Sequence, residues 1–189
     1  WTWMRDLAGP GQDVTFGFGG DALSLTFALL ALGIGGVVLL YSAAYLHEDD
    51  KPRSFYIFMT GFALSVLILV LAADVVVLFV GWELVSIASF LLIAQSGSAG
   101  EKGASRTLIL TFFGGLTLLA ALGIAVAVTG TTNIEAIVTS PAWKSSGLTT
   151  AFALLIACSG FTKAAQFPFH LWLPEAMAAA TPVSAFLHA

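Results

Sequence analysis

Charge is what this sequence has least of. Of its 189 residues, 10% are Asp, Glu, Lys or Arg, against roughly 25% in soluble domains. With 58% hydrophobic residues beside so little charge, the chain reads as a membrane protein rather than a globule in water. Cysteine is almost missing as well. Cys158 is alone and lies in an apolar run, which excludes an internal disulfide and leaves it a packing role. The seven Lys and Arg are scattered, so there is no basic patch to hold a nucleic acid. No P-loop, dinucleotide fingerprint, CxxC or His–Glu pair at metal spacing occurs, and GFGG at 17–20 is too short and wrongly placed to count. Catalysis on a soluble substrate therefore has no candidate residues. No cofactor or metal is expected.

What the chain does have is five long apolar stretches, read as helices at 21–46, 55–72, 75–94, 107–128 and 148–178. Each is close to the roughly 20 residues that cross hydrocarbon. The runs are continuous rather than alternating over about ten residues, which favours helices over barrel strands. Helices also satisfy their own backbone groups in lipid. The fold class expected is an all-α, polytopic transmembrane bundle. Residues 1–20 form a Gly- and Trp-rich extracytoplasmic segment, with GPGQD as a turn. Asp21 suits a helix start, and Tyr41 and Tyr45 an interfacial belt. Residues 47–54, with His47, and 95–106 are loops, Ala73–Asp74 is a tight turn, and 129–147 holds a short surface helix around NIEAIV. Thr181–Pro182 opens a further helix over 181–189. The chain starts on Trp and stops inside an apolar helical pattern, so both ends look cut from a larger subunit. Lys51, Arg53, Lys102 and Arg106 lie on one face against Arg5 and Lys144 on the other. That bias puts loops 47–54 and 95–106 in the cytoplasm of a multi-pass plasma-membrane protein.

Two full charges sit inside the apolar stretches: Glu83 in LFVGWELVSIASFLLI and Lys163 in LLIACSGFTKAAQFPFHLWLP. Each costs about 2.5–3.5 kcal/mol at bilayer depth on insertion scales. Glu83 lies roughly 12 Å into its span and Lys163 roughly 22 Å, both within a core about 30 Å thick. A buried pair that only locks two helices is one reading. Apolar replacements of such pairs are often neutral or stabilising, so an ion path is the better reason to keep them. Pro168 and Pro174, with His170 between, predict a helix broken near 167–174. Broken membrane helices expose backbone at ion sites; the bland alternative is a connector lying along the interface. His170 and His188 can exchange protons near neutral pH, or simply be hydrogen-bonded. Asp74 caps the third helix or stands at a proton or cation entrance.

LFVGWELVSIASFLLI and FTKAAQFPFHLWLPEAMAAATPVSAFLHA resemble the antiporter-like module shared by Mrp monovalent cation/proton antiporters and the proton-pumping membrane-arm subunits of complex I. The likeness runs from about residue 21 to the end, and both motifs look most like the large A-type member of Mrp. Ala180 departs from the family's usual proline before TPVSA. The resemblance implies one five-helix repeat of a fold built from two inverted repeats, with a discontinuous last helix. It implies that Glu83 is the family's mid-membrane glutamate and Lys163 the lysine of the broken helix that pairs with it. His170 and His188 would lie on the proton route or its gate. The function implied is a proton-translocating subunit of a multisubunit Na+ (or other monovalent cation)/H+ antiporter, with a Glu–Lys pair that switches proton affinity. It would be a secondary transporter rather than an enzyme, partnered by other membrane subunits, the bilayer, protons and the cation, without nucleic acid. The alternative is a proton-pumping subunit of NADH:quinone oxidoreductase or a related energy-converting hydrogenase.

Overall fold

A computed structural model describes residues 2–4, 14–15, 17–46, 52–95, 97–177 and 179–188. The GPGQD turn, His47, and residues 47–51 of the expected 47–54 loop lie outside the described residues. The chain opens with a two-stranded antiparallel ribbon, β1 (Thr2–Met4) and β2 (Val14–Thr15). The elements after it are helical: α1 (Ala22–Tyr45), α2 (Pro52–Val70), α3 (Val75–Ala94), α4 (Ser98–Thr129), α5 (Ile134–Thr139), α6 (Thr149–Lys163), α7 (Trp172–Ala176) and α8 (Thr181–His188). Four of these, α1 to α4, are long and apolar enough to cross a membrane.

Local chemistry fixes the ends. Asp21 and Ser24 form a reciprocal capping box at the start of α1, and its hydrogen bonds hold the exposed Asp21 carboxyl below the usual carboxylate range. Asp74 caps α3 by accepting from the Val76 amide at 2.8 Å. The tight turn before it is closed by backbone bonds from Val75 to Thr132 and from Ile134 to Ala73. Gly97 begins α4 at φ 71° and Gly130 ends it in the left-handed conformation. Both backbone states come at little cost only for glycine.

Three expectations need correction. The 95–106 segment is not a loop, because α4 begins at Ser98. Ser105 bonds back to the Glu101 carbonyl, Arg106 pairs with Glu175 of α7, and Gly103 lets the Glu175 backbone approach. These contacts outweigh the weak helix propensity of GEKGAS. The 47–54 loop is likewise shorter than expected, since Pro52 already opens α2 as a first-turn proline. Finally, 148–178 is not one span with a late break. α6 stops at Lys163, and at about 22 Å it is too short to cross the hydrocarbon alone.

Three packed clusters set the helix order. Val38 of α1, Phe55, Met59 and Phe62 of α2, Val85 and Leu92 of α3, and Val183 and Phe186 of α8 form the largest. Phe62 and Phe186 meet edge to face at 5.2 Å, and Phe186 reaches α1 because Gly35 has no side chain there. At one end of the bundle Ile93, Ala104, Trp172 and Ala176 join α3, α4 and α7. At the other, Val75, Ala125 and Ile137 join α3, α4 and α5, with Phe152 of α6 packed beside them. The pairings Val75 with Ala125 and Ile93 with Ala104 make α3 and α4 antiparallel. Phe152 beside Ala125, with Thr162 beside Gly114, makes α4 and α6 antiparallel too. Consequently α3 and α6 run in the same direction, on either side of α4.

Candidate functional site

The middle of α4 carries two glycines, Gly114 and Gly115, both buried. A Cβ built on Gly114 overlaps the Thr162 hydroxyl of α6, and one built on Gly115 overlaps the Glu83 carboxylate of α3. This bare stretch of helix therefore lets both neighbours bring polar side chains against α4. Small residues serve this purpose at helix contacts in membranes. Glu83 is half-buried, and its Oε1 is buried without a hydrogen-bond partner among the described residues. Trp82 Nε1 and, one turn before Lys163, Ser159 Oγ are likewise buried without a hydrogen-bond partner among the described residues.

Lys163 is the last residue of α6. Its ammonium donates to Ser86 Oγ at 2.7 Å, lies 3.5 Å from the Trp82 carbonyl, and sits 5.2 Å from the Trp82 ring centroid. Among the described residues no direct hydrogen bond or ion pair joins it to Glu83, although each charge lies within Coulombic reach of the other. Lys163 meets α3 at Ser86, while the Glu83 carboxylate lies against Gly115 of α4.

The break lies just beyond Lys163. Ala165 takes a left-handed conformation, Gln166 bonds back to the Phe161 carbonyl at 2.9 Å, and Phe169–Leu171 form a single 3-10 turn before α7. The Thr162 carbonyl receives the Trp172 indole N–H at 2.8 Å in a buried bond. A residue beyond the break thereby satisfies a carbonyl before it, as a dry environment demands. Pro168 lies in the break, as expected. Pro174 does not break anything: it sits in the first turn of α7, where its missing N–H would have no intrahelical partner. Residues 164–168 and the 3-10 turn, rather than 167–174, are the interruption.

His170 is exposed in part and stacks on Phe167 at 5.8 Å. His188, also exposed, has Nε2 3.3 Å from Met177 Sδ. Among the described residues, neither imidazole makes a hydrogen bond to Glu83 or Lys163. Asp74 is 1% exposed, and while Oδ1 caps α3, Oδ2 has no partner there. Thus, among the described residues, Glu83 and Lys163 are the ones singled out in the sequence that come near each other; Ser86, Thr162, Gly114 and Gly115 also line this contact and were missed, and Trp82, expected as an interfacial or packing aromatic, faces the Lys163 ammonium. An apolar cavity of about 630 Å³ opens between the start of α3 and the end of α4, lined by Val75, Phe79, Leu119, Leu122 and Val126 among others; its lining carries no charge.

Comparison with known proteins identifies the architecture. Residues 72–189 match the family model described as NADH:quinone oxidoreductase/Mrp antiporter, TM. The chain belongs to that family. Residues 3–56 also match the model for the N-terminus of complex I chain 5. The chain is 44% identical, over 93% of its length, to a Staphylococcus saprophyticus protein named as the antiporter component mnhA2. It is 41% identical, over 95% of its length, to the A-type component of a Na(+)/H(+) antiporter from Alkalihalophilus pseudofirmus. In both cases it spans 23% of the relative. Among solved structures, a chain of the Mrp complex from Dietzia sp. DQ12-45-1b superposes with a TM-score of 0.83 at 49% identity, covering 89% of this chain and 19% of that one. As a member of the Mrp antiporter/complex I family, the chain is a multi-pass membrane protein.

Proposed function

We propose that this chain is the part of a multisubunit monovalent cation/proton antiporter in which Glu83 and Lys163 form a proton-affinity switch. The observation that carries the reading is that Lys163, 80 positions from Glu83 in sequence and at the brink of a helix break, reaches α3 at Ser86, within one turn of Glu83, whose carboxylate lies against Gly115. At about 4 Å and an effective dielectric near 20, their attraction is about 4 kcal/mol. That is roughly a thousandfold in proton affinity. When Glu83 and Lys163 close up, the ammonium is retained; when they part or Glu83 is neutralised, the lysine hands its proton on. His170, in the break, and His188, beyond it, are the receivers we assign, and Asp74 primarily caps α3. Sodium or a similar monovalent cation is the counter-substrate, the partners are the other membrane subunits of the complex, and the location is the plasma membrane. Residues 47–54 and 95–106 face the cytoplasm. The two named relatives, both antiporter components, support this reading.

The match of 3–56 to a complex I model favours a second reading, a proton-pumping subunit of a redox complex. The proteins that copurify decide between them: small membrane subunits in the first case, iron–sulfur and flavin proteins in the second. The antiporter reading itself is tested by Lys163→Ala in the full-length subunit. Cation-driven proton exchange in inverted vesicles should vanish while the complex still assembles, and normal exchange would overturn the proposal.

A further inference from the structure

The seat that Lys163 occupies is built, and it is not Glu83. Ser86 is fully buried. Its hydroxyl donates to the Trp82 carbonyl at 3.1 Å, which fixes the hydrogen on the backbone side and turns a lone pair toward the ammonium 2.7 Å away. The Trp82 ring lies on the same ammonium at 5.2 Å, a range in which an aromatic face attracts a cation. Hydroxyl, carbonyl and ring together hold a cation without any negative charge. Glu83 stands on the same helix three residues earlier, about 4.5 Å along the axis, with Oε1 unpartnered against Gly115. The lysine stem is flexible, and the chain leaves the helix immediately after it.

Resting on the switch reading above, we infer that Ser86 and Trp82 form a second seat for the Lys163 ammonium, occupied when it is parted from Glu83. Lys163 then moves between a charged acceptor and a neutral one, less than one helical turn apart. The neutral seat gives the parted ammonium a place in an apolar bundle without committing it to a counter-charge. Ser86 and Trp82 are positioning residues, since they act through the lysine they hold.

The test uses the whole complex in inverted vesicles, with a pH-sensitive dye and sodium pulses, comparing Ser86→Ala, Ser86→Thr and Lys163→Ala. Ser86→Ala removes a hydrogen bond to a charged group, and the maximal exchange rate should fall about tenfold, a conversion of about 1.4 kcal/mol. The KM for sodium should not move. Ser86→Thr keeps a hydroxyl that can bond back to the Trp82 carbonyl, and should restore the rate to within about twofold. Trp82→Phe should likewise exchange faster than Trp82→Leu, which carries the test if either Ser86 variant fails to assemble. A wild-type rate in an assembled Ser86→Ala overturns the seat, as does a Ser86→Thr variant that assembles yet is as slow as Ser86→Ala; where Ser86→Ala fails to assemble, a wild-type rate in Trp82→Leu overturns it. If Lys163→Ala exchanges normally, the switch falls and the seat with it; if Lys163→Ala is dead while Ser86→Ala is unaffected, only the seat falls.

Discussion

Gly115→Ala and Gly81→Ala are the same chemical change with opposite expected consequences. In both, alanine gains about 1 kcal/mol of helix propensity over glycine. At Gly81 the new methyl meets the Leu69 backbone, with Cα and N each 2.7 Å away. Backbone of a packed helix cannot step aside, and overpacking of this kind costs about 1–3 kcal/mol. The net is a loss of up to about 2 kcal/mol at the α2–α3 contact. At Gly115 the methyl overlaps the far end of a flexible side chain, the Glu83 carboxylate. That carboxylate can swing, withdrawing by roughly 1.5 Å to regain van der Waals distance, so stability changes little. In the closed state of the proposed switch its pull on Lys163 changes: an attraction of about 4 kcal/mol at about 4 Å would fall to about 3 kcal/mol at about 5.5 Å. The difference is roughly fivefold in the equilibrium of the switch. Each variant should be made in the full-length subunit, then assayed for both heat resistance of the purified complex and exchange in inverted vesicles. Gly81→Ala should lower heat resistance and spare the rate per assembled complex. Gly115→Ala should assemble and melt like the wild type but exchange about fivefold more slowly. Wild-type exchange by Gly115→Ala would refute the claim that the glycine makes room for a working carboxylate, and equal destabilisation by both variants would refute the geometric distinction.

Two further outcomes follow from the ends of the helices. Trp172→Phe removes the indole N–H from the buried Thr162 carbonyl; an orphaned buried acceptor costs about 1–3 kcal/mol, and limited proteolysis across 164–177 should become faster. Asp74→Ala loses the cap of α3, worth about 1 kcal/mol, whereas Asp74→Asn retains an acceptor and should keep both stability and exchange; a dead but assembled Asp74→Asn would move Asp74 from the cap to the ion path.

Four of the five expected spans and the two in-span charges were legible because they rest on contrast. A Glu or Lys within twenty apolar residues stands out whatever the tertiary context, and Asp74 in a two-residue turn is well placed to cap α3. What lay beyond the sequence was direction and distance. Counting residues placed Glu83 and Lys163 at depths that looked compatible, yet one head ends at Ser86 and the other against Gly115. The start of α4 was hidden because GEKGAS is polar and glycine-rich, and the contacts that make it helical are to Glu175, some 70 residues later. Pro174 misled for the related reason that a proline is a breaker inside a helix and a good starter in its first turn.

The glycine pair had a signal that could have been read. Two adjacent glycines in the middle of an apolar span cost about 1 kcal/mol each in helix propensity, with no turn or cap to justify them. In a membrane such small residues mark close approach between helices. Here the approaching groups are a carboxylate and a hydroxyl rather than another backbone, which separates this contact from ordinary helix docking. A larger residue at either position would close the gap with hydrocarbon and drive Glu83 or Thr162 off α4. The bare surface of α4 thus belongs to the site as much as the charges do, because it sets where the carboxylate can stand relative to the two places Lys163 can reach.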